Sequence, residues 1–192
     1  MPIERRFQQG TPAWREWRRA GIGASDAPVI MGVSPWSKPV DLWLLKTGQV
    51  AERPPNWAMR RGTALEDTAR QLYMRRTGNT VAPTCFEHHE HTWMRGSLDG
   101  YSPAQRLVVE IKCPGHPDHR TAVNGRVPAK YVPQLQHLML VTDARSCHYV
   151  SYREDECVIL EVAPDPAYMQ RLLQAESAFW ACVREGRRPG AP

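Results

Sequence analysis

The stretch that decides the fold is Gly96-Ser97-Leu98-Asp99-Gly100-Tyr101, followed by Arg106-Leu107-Val108-Val109-Glu110-Ile111-Lys112-Cys113. Both segments have the composition of β-strands, and Ser102-Pro103 marks the turn between them. A two-residue step along a strand puts Glu110 and Lys112 on one face and sends Val109 and Ile111 into the core. Asp99 lies on the neighbouring strand, eleven residues before Glu110. Two carboxylates from adjacent strands suit a hard divalent cation, and an ammonium beside them can position or deprotonate an attacking water. That is hydrolytic phosphodiester chemistry. The plain alternative for Glu110 and Lys112 is a solvated cross-strand pair.

Around this pair the chain changes period several times. Strands are expected over 85–94, 95–101, 106–113, 145–152 and 157–162, with a turn at Glu154-Asp155. Helices are expected over 11–19, over 25–31 with Ser25 and Asp26 as caps, around 42–46, and over 58–77. In the last of these Leu65, Ala69, Leu72 and Tyr73 recur at helical spacing and Gly78 ends the run. A further helix spans 132–141 with Pro133 in its first turn, and another starts at Asp165 and carries the apolar stripe Met169, Leu172, Leu173, Trp180, Val183. The order predicts an α/β fold with a mixed central sheet flanked by helices. One domain is expected over 1–186, with 187–192 a disordered tail.

The chain has 192 residues, 42% hydrophobic and 23% charged, which fits a soluble globular domain. Lys and Arg total 25 against 20 Asp and Glu, and 21 of the cations are Arg, the side chain that grips phosphate through a planar fork. Residues 1–76 hold 13 cations and 7 anions, whereas 77–192 hold 12 and 13, so the first part is the candidate polyanion surface. The Trp residues of that part, Trp14, Trp17, Trp36, Trp43 and Trp57, suit core or subunit contacts, and some can stack on bases of a frayed end. No apolar run approaches the ~18 residues of a membrane span, and the N-terminus lacks the apolar stretch of a signal peptide. A cytoplasmic protein with no membrane contact is expected.

Five cysteines, never closer than ten residues, suggest neither a disulfide framework nor a Cys-x-x-Cys knuckle. Two groups invite zinc, Cys85 with His88, His89 and His91, and Cys113 with His116 and His119. Alternation along a strand speaks against the first, because its side chains cannot all face one ion. A four-cysteine iron–sulfur cluster is disfavoured by the wide spacing.

Further motifs resemble a known family. Gly21-Ile22-Gly23-Ala24-Ser25-Asp26, Gly32-Val33-Ser34-Pro35-Trp36 and Leu45-Lys46-Thr47-Gly48 look like the opening block of the YqaJ-type viral recombinase, or phage lambda exonuclease, family. Arg61-Gly62-Thr63-Ala64-Leu65-Glu66, Gly96-Ser97-Leu98-Asp99-Gly100, Glu110-Ile111-Lys112-Cys113-Pro114 and Tyr131-Val132-Pro133-Gln134-Leu135-Gln136-His137 continue the resemblance in order over residues 18 to 142.

The resemblance implies the PD-(D/E)XK nuclease core and a Mg²⁺-dependent exonuclease that digests one strand of double-stranded DNA from its 5′ end. The remaining 3′ strand would pass to a single-strand annealing protein, and the enzyme would be a ring-shaped homotrimer. Two Mg²⁺ ions per site are implied, with Mn²⁺ as a substitute. By motif, Asp99, Glu110 and the Ile111 carbonyl are metal ligands. Glu66 is a further acid acting directly or through water, Lys112 orients or activates the nucleophile, and Gln134 assists at the water. Arg18, Ser25 and Ser97 match 5′-phosphate positions, the serine at the start of an expected helix. Arg120 is the candidate for a basic contact after the Glu-x-Lys strand. Met59 is either an apolar wedge against the terminal base pair or a core residue. Two alternatives stay open: a non-catalytic module that binds DNA ends, and an endonuclease of the same superfamily.

Overall fold

The structure, a computed structural model, describes residues 1–190. Its centre is a mixed sheet whose strands run β1 (Ile3–Arg5), β3 (Ala82–Glu87), β4 (Met94–Ser102), β5 (Leu107–Lys112), β6 (Ser146–Arg153), β7 (Glu156–Val162), with the short β2 (Ile22–Gly23) paired to β4. The pairs β3–β4, β4–β5 and β6–β7 are antiparallel, joined by turns in the last two cases at the expected Ser102-Pro103 and Glu154-Asp155. Glu154 and Asp155 both adopt positive φ, the pairing that twists a two-residue hairpin to match its strands. Strands β5 and β6 are parallel, which demands a crossover, and the chain between them supplies two helices, α5 (His116–Val123) and α6 (Val132–Thr142).

Helices cover both faces of the sheet. On one side α4 (Trp57–Thr77) packs Ala69 and Tyr73 against Val109, Ile111, Val150 and Tyr152. On the other, Leu135, Leu138 and Met139 of α6 meet Leu98, Val108, Cys147 and Tyr149. Alternation along β5 therefore places Val108 and Glu110 under α6 and Val109 and Ile111 under α4. Beyond α6 lies α7 (Pro166–Arg184), so α6 is enclosed on nearly every side, and polar residues within it must find partners there. His137 does so: its Nδ1 meets Glu176 Oε1 at 2.8 Å and its Nε2 donates to the Arg95 carbonyl. Burial pushes the Glu176 carboxyl up, and the Glu176 charge raises His137 in spite of burial, so a proton stays on the link between them. A third cluster, Ile22, Val29, Leu42, Trp43, Phe179 and Cys182, ties α7 to α3 (Pro39–Lys46) and to the turn before it.

The helices end where their caps say. Thr11 accepts from Trp14 N at the start of α1 (Pro12–Arg19), Asn56 from Met59 N at α4, and Asp165 from Tyr168 N at α7. Gly78 closes α4 with φ 73°, and Pro133 sits in the first turn of α6, preceded by the tight turn Ala129–Tyr131.

Two expectations need correction, and three short elements were not expected. The helix expected over 25–31 is a 3₁₀ turn, Ala24–Asp26, followed by a single α turn, α2 (Ala27–Ile30), and Asp26 takes the Gly23 N–H instead of capping a long helix. The expected strand over 85–94 is β3 shifted toward the N-terminus, followed by a turn over 88–93. His88 makes that turn by accepting the Glu90 and His91 N–H groups on Nδ1. The strands β1 and β2, of three and two residues, carry no alternation to read, and α5 was masked by its Pro and His residues. The expected tail over 187–192 falls partly outside the described residues; within them, 187–190 adopt no regular element.

His88 must stay neutral at Nδ1 to accept those two bonds. Burial, helped by the neighbouring His89 and His91, lowers its pKa from 6.5 to about 4. A lowered folded pKa gives stability that is complete above 6.5 and lost as pH falls from there toward 4. His88→Asn, whose carbonyl accepts at any pH, is expected to flatten the fall in thermal midpoint between pH 7 and 4.5, measured by circular dichroism.

Candidate active site

The β4–β5 ladder runs through Ser102–Leu107, Tyr101–Val108 and Gly100–Val109 and stops there. One residue further along each strand stand Asp99 and Glu110. Instead of continuing the ladder, the Asp99 carboxylate accepts the Ile111 N–H at 2.8 Å. The strands therefore part at the two acids, and the gap opens into a cleft of about 1430 Å³ lined by both of them with Lys112, Gln134, Ile111 and Glu66.

Glu110 is only 2% exposed, which excludes the solvated-pair alternative. Its Oε1 accepts from Lys112 Nζ at 2.6 Å and from Gln134 Nε2 at 2.5 Å, so α6 closes over the strand through one amide. Its Oε2 is buried with no hydrogen-bond partner. Burial alone would lower the Lys112 ammonium, but the charges of Glu110 and Asp99 outweigh it and raise its pKa, so Lys112 stays protonated. Its Nζ also lies 5.3 Å from the Tyr131 ring centroid. The Asp99 carboxyl is pushed well up by burial and then by the negative charges of Glu110 and Glu66.

Glu66 reaches the cleft from α4, its Oε1 held by Arg70 Nη2 at 2.6 Å. Burial raises its pKa, Arg70 opposes, and Glu110 adds to the rise. Among the described residues no three His, Cys, Asp or Glu side chains converge as a ready metal cage. The His88–His91 turn stacks its rings instead of pointing them at one centre. What the cleft offers is two adjacent carboxylates, one with an unpartnered buried oxygen. That donor set fits a hard cation that keeps part of its water shell, with Glu66 set back against Arg70.

The Arg18, Ser25 and Ser97 side chains line the same cleft, Ser97 two residues before Asp99 on β4. Arg18 Nη2 donates to Ser25 Oγ at 2.7 Å, the Arg18 guanidinium lies 4.7 Å over the Trp14 ring, and Trp14 Nε1 donates to Ser97 Oγ at 3.0 Å. Lys46 fixes the backbone beneath by donating to the Arg18 and Gly21 carbonyls and pairing with Asp26 at 2.7 Å. The expected help from a helix N-terminus at Ser25 is absent, because α2 is one turn long and the Asp26 carboxylate stands at its start. Met59 lines the cleft and is 58% exposed, so it is no core residue. Arg120 is not brought to the site: α5 packs on β6 and β7, and Arg120 lines a separate cavity of about 360 Å³ beside Arg153 and Glu156. Trp17 and Trp43 are buried, whereas Trp36 and Trp57 are exposed.

The YqaJ-like viral recombinase domain model matches residues 13–145, more than half of the chain, a span that includes Arg18, Ser25, Glu66, Ser97, Asp99, Glu110, Lys112 and Gln134. The chain belongs to this family. It is 28% identical over 173 residues to the uncharacterized protein YqaJ of Bacillus subtilis (strain 168), covering 87% of this chain and 54% of that one, so it spans about half the length of YqaJ. An alkaline exonuclease (LHK-Exo) from Laribacter hongkongensis superposes with a TM-score of 0.80 at 26% identity over 92% of this chain and 94% of its own; a structure of LHK-Exo in complex with dAMP matches equally. A phage related exonuclease from Haemophilus somnus 129PT shares the fold, with a TM-score of 0.67 at 16% identity over 86% of this chain and 94% of that one.

Two residues of this YqaJ-like domain were missed as parts of the site. In the linear sequence Trp14 reads only as a stacking or packing ring, and Arg70 only as part of a helix. Both act across distances of more than 25 positions in sequence, to Ser97 and to the Asp99 carbonyl, which no local pattern encodes. The i, i+4 spacing of Glu66 and Arg70 on one helix face is the one local signal.

Because burial and like charge both disfavour the ionised Asp99, Asp99→Asn is expected to raise the thermal midpoint by a few degrees, about 1 kcal/mol, in metal-free buffer at pH 7. The Asn carbonyl can still accept from Ile111. Differential scanning calorimetry with a chelator present checks this, and an unchanged or lower midpoint contradicts the repulsion described.

Proposed function

We propose that this YqaJ-like domain is a metal-dependent exonuclease that digests one strand of linear double-stranded DNA from its 5′ end and leaves a 3′ single strand for an annealing protein. The observation that carries the reading is the buried, unpartnered Glu110 Oε2 beside Asp99 at the floor of a cleft that also holds Lys112. A carboxylate oxygen buried without a donor is costly unless a cation completes it. Likeness to an alkaline exonuclease over 92% of the chain supports the same conclusion.

Asp99, Glu110 and the Ile111 carbonyl would hold Mg²⁺, two ions per site with Mn²⁺ able to substitute, and Glu66 would act through water. Bound there, the metal supplies charge stabilisation for the attacking and leaving oxygens of the phosphodiester. Lys112, kept as an ammonium by Glu110, donates to the attacking water and orients it, and Gln134 steadies Glu110 and that water from α6. Arg18, Ser25 and Ser97 receive the 5′ phosphate, a dianion suited to a guanidinium and hydroxyl groups, and their place in the same cleft as the acids sets the direction of digestion. The basic first part of the chain holds the duplex backbone, and exposed Met59 wedges the terminal pair. Val33, Trp36, Val50 and Trp57, which are exposed apolar side chains all lying between residues 33 and 57, suit a contact between copies in a ring-shaped homotrimer.

Linear duplex with labelled 5′-phosphate ends is expected to shorten from those ends with Mg²⁺, and Glu110→Ala or Lys112→Ala to slow this by roughly a thousandfold while end binding persists. Cleavage of closed circular DNA would instead favour an endonuclease, and binding without cleavage a bare end-binding module. Removal of the 5′ phosphate, or Arg18→Ala, is expected to slow digestion about tenfold or more, the worth of a charge-assisted hydrogen bond. Equal rates on both ends would refute the phosphate pocket.

A further inference from the structure

Arg70 projects from α4, four residues after Glu66, and is 8% exposed. Its guanidinium makes three bonds in one plane of donors: Nε to the Asp99 carbonyl at 2.6 Å, Nη2 to Glu66 Oε1 at 2.6 Å, and Nη1 to Asp67 Oδ1 at 2.9 Å. Asp67 is 75% exposed, so that pair adds little. The other two are sheltered, and they reach both acids that flank Glu110.

We propose that Arg70 is a positioning residue for the metal-dependent site, fixing the Asp99 backbone and the Glu66 carboxylate at a set separation. The inference rests on the nuclease reading of the cleft. Asp99 is held from two sides: Arg70 fixes its carbonyl, and the Ile111 N–H fixes its carboxylate. Asp99 lies where the β4–β5 ladder has ended, so pairing across that gap no longer holds its backbone in place, and a donor from α4 takes over that role. Glu66 is fixed by the same guanidinium, so one rigid fork couples a helix acid to a strand acid. A lysine has the charge and lacks the fork, and its single ammonium cannot span both acceptors in one fixed geometry.

The test is Mn²⁺ binding to the whole chain without DNA, followed by electron paramagnetic resonance, for the wild type, Arg70→Lys, Arg70→Gln, Glu66→Gln and the Glu66→Gln/Arg70→Lys pair, with a thermal midpoint for each. Arg70→Lys is expected to keep a cooperative transition and to bind Mn²⁺ at least about tenfold more weakly, the usual effect of removing a group that orients metal ligands. In the Glu66→Gln background the same change is expected to cost less, since part of the effect passes through Glu66. On linear duplex with Mg²⁺, kcat is expected to fall while KM for DNA ends holds. Wild-type Mn²⁺ affinity in Arg70→Lys would overturn the proposal, as would affinity losses that merely follow the thermal midpoints of Arg70→Lys and Arg70→Gln. A wild-type chain that binds no Mn²⁺ would overturn the nuclease reading, and this inference with it.

Discussion

A carboxylate buried with one oxygen satisfied and the other bare organises this molecule. Glu110 lies under α6, and its Oε1 is taken by Lys112 and Gln134 while Oε2 has no donor. Leaving an ionised oxygen out of water costs several kcal/mol unless a positive group stands nearby. Lys112 supplies one charge at 2.6 Å, while burial and the nearby acids hold the Asp99 carboxyl toward its neutral form. The low dielectric that makes the arrangement costly is also what makes it a strong ligand for a cation.

Everything around that acid holds it there. The apolar contacts of Val109 and Ile111 with α4 and of Val108 with α6 fix β5 from both sides, so Glu110 cannot rotate out to solvent without disrupting a core. Where the β4–β5 pairing ends, side chains replace the ladder, Asp99 toward Ile111 and Arg70 toward Asp99. Lys46 plays the equivalent part beside Arg18, tying the Arg18 backbone to Gly21 and Asp26. Asp99 and Glu110 come from the evenly charged later part of the chain, whereas Glu66, Arg18 and Arg70 come from its basic first part, and the cleft is where the two parts meet.

The fold tolerates wide change in sequence. Superposition on LHK-Exo stays close at 26% identity, and the phage related exonuclease keeps the architecture at 16%. A sheet covered by helices on both faces asks mainly for apolar residues of the right period, whereas the strand gap at Asp99 and Glu110 asks for particular groups.

Much of this was legible in the linear chain. The period-two runs marked the main strands, the helix of 58–77 was right to one residue, and Asp99, Glu110 and Lys112 stood out because a strand's alternation puts acid and ammonium on one face. Motif order marked Glu66, Gln134, Arg18, Ser25 and Ser97, which the fold gathers into one cleft. Tertiary structure alone decided the rest. Arg120 followed α5 onto β6 and β7, away from the site, because a helix's docking face depends on what lies beneath it. The turn at His88 formed because an imidazole nitrogen replaced strand pairing, and Arg70 and Trp14 joined the site through bonds to residues far along the chain. Local sequence fixes period and capping through short-range sterics and hydrogen bonds, whereas the partner of a buried polar group is set by whatever segment packs against it.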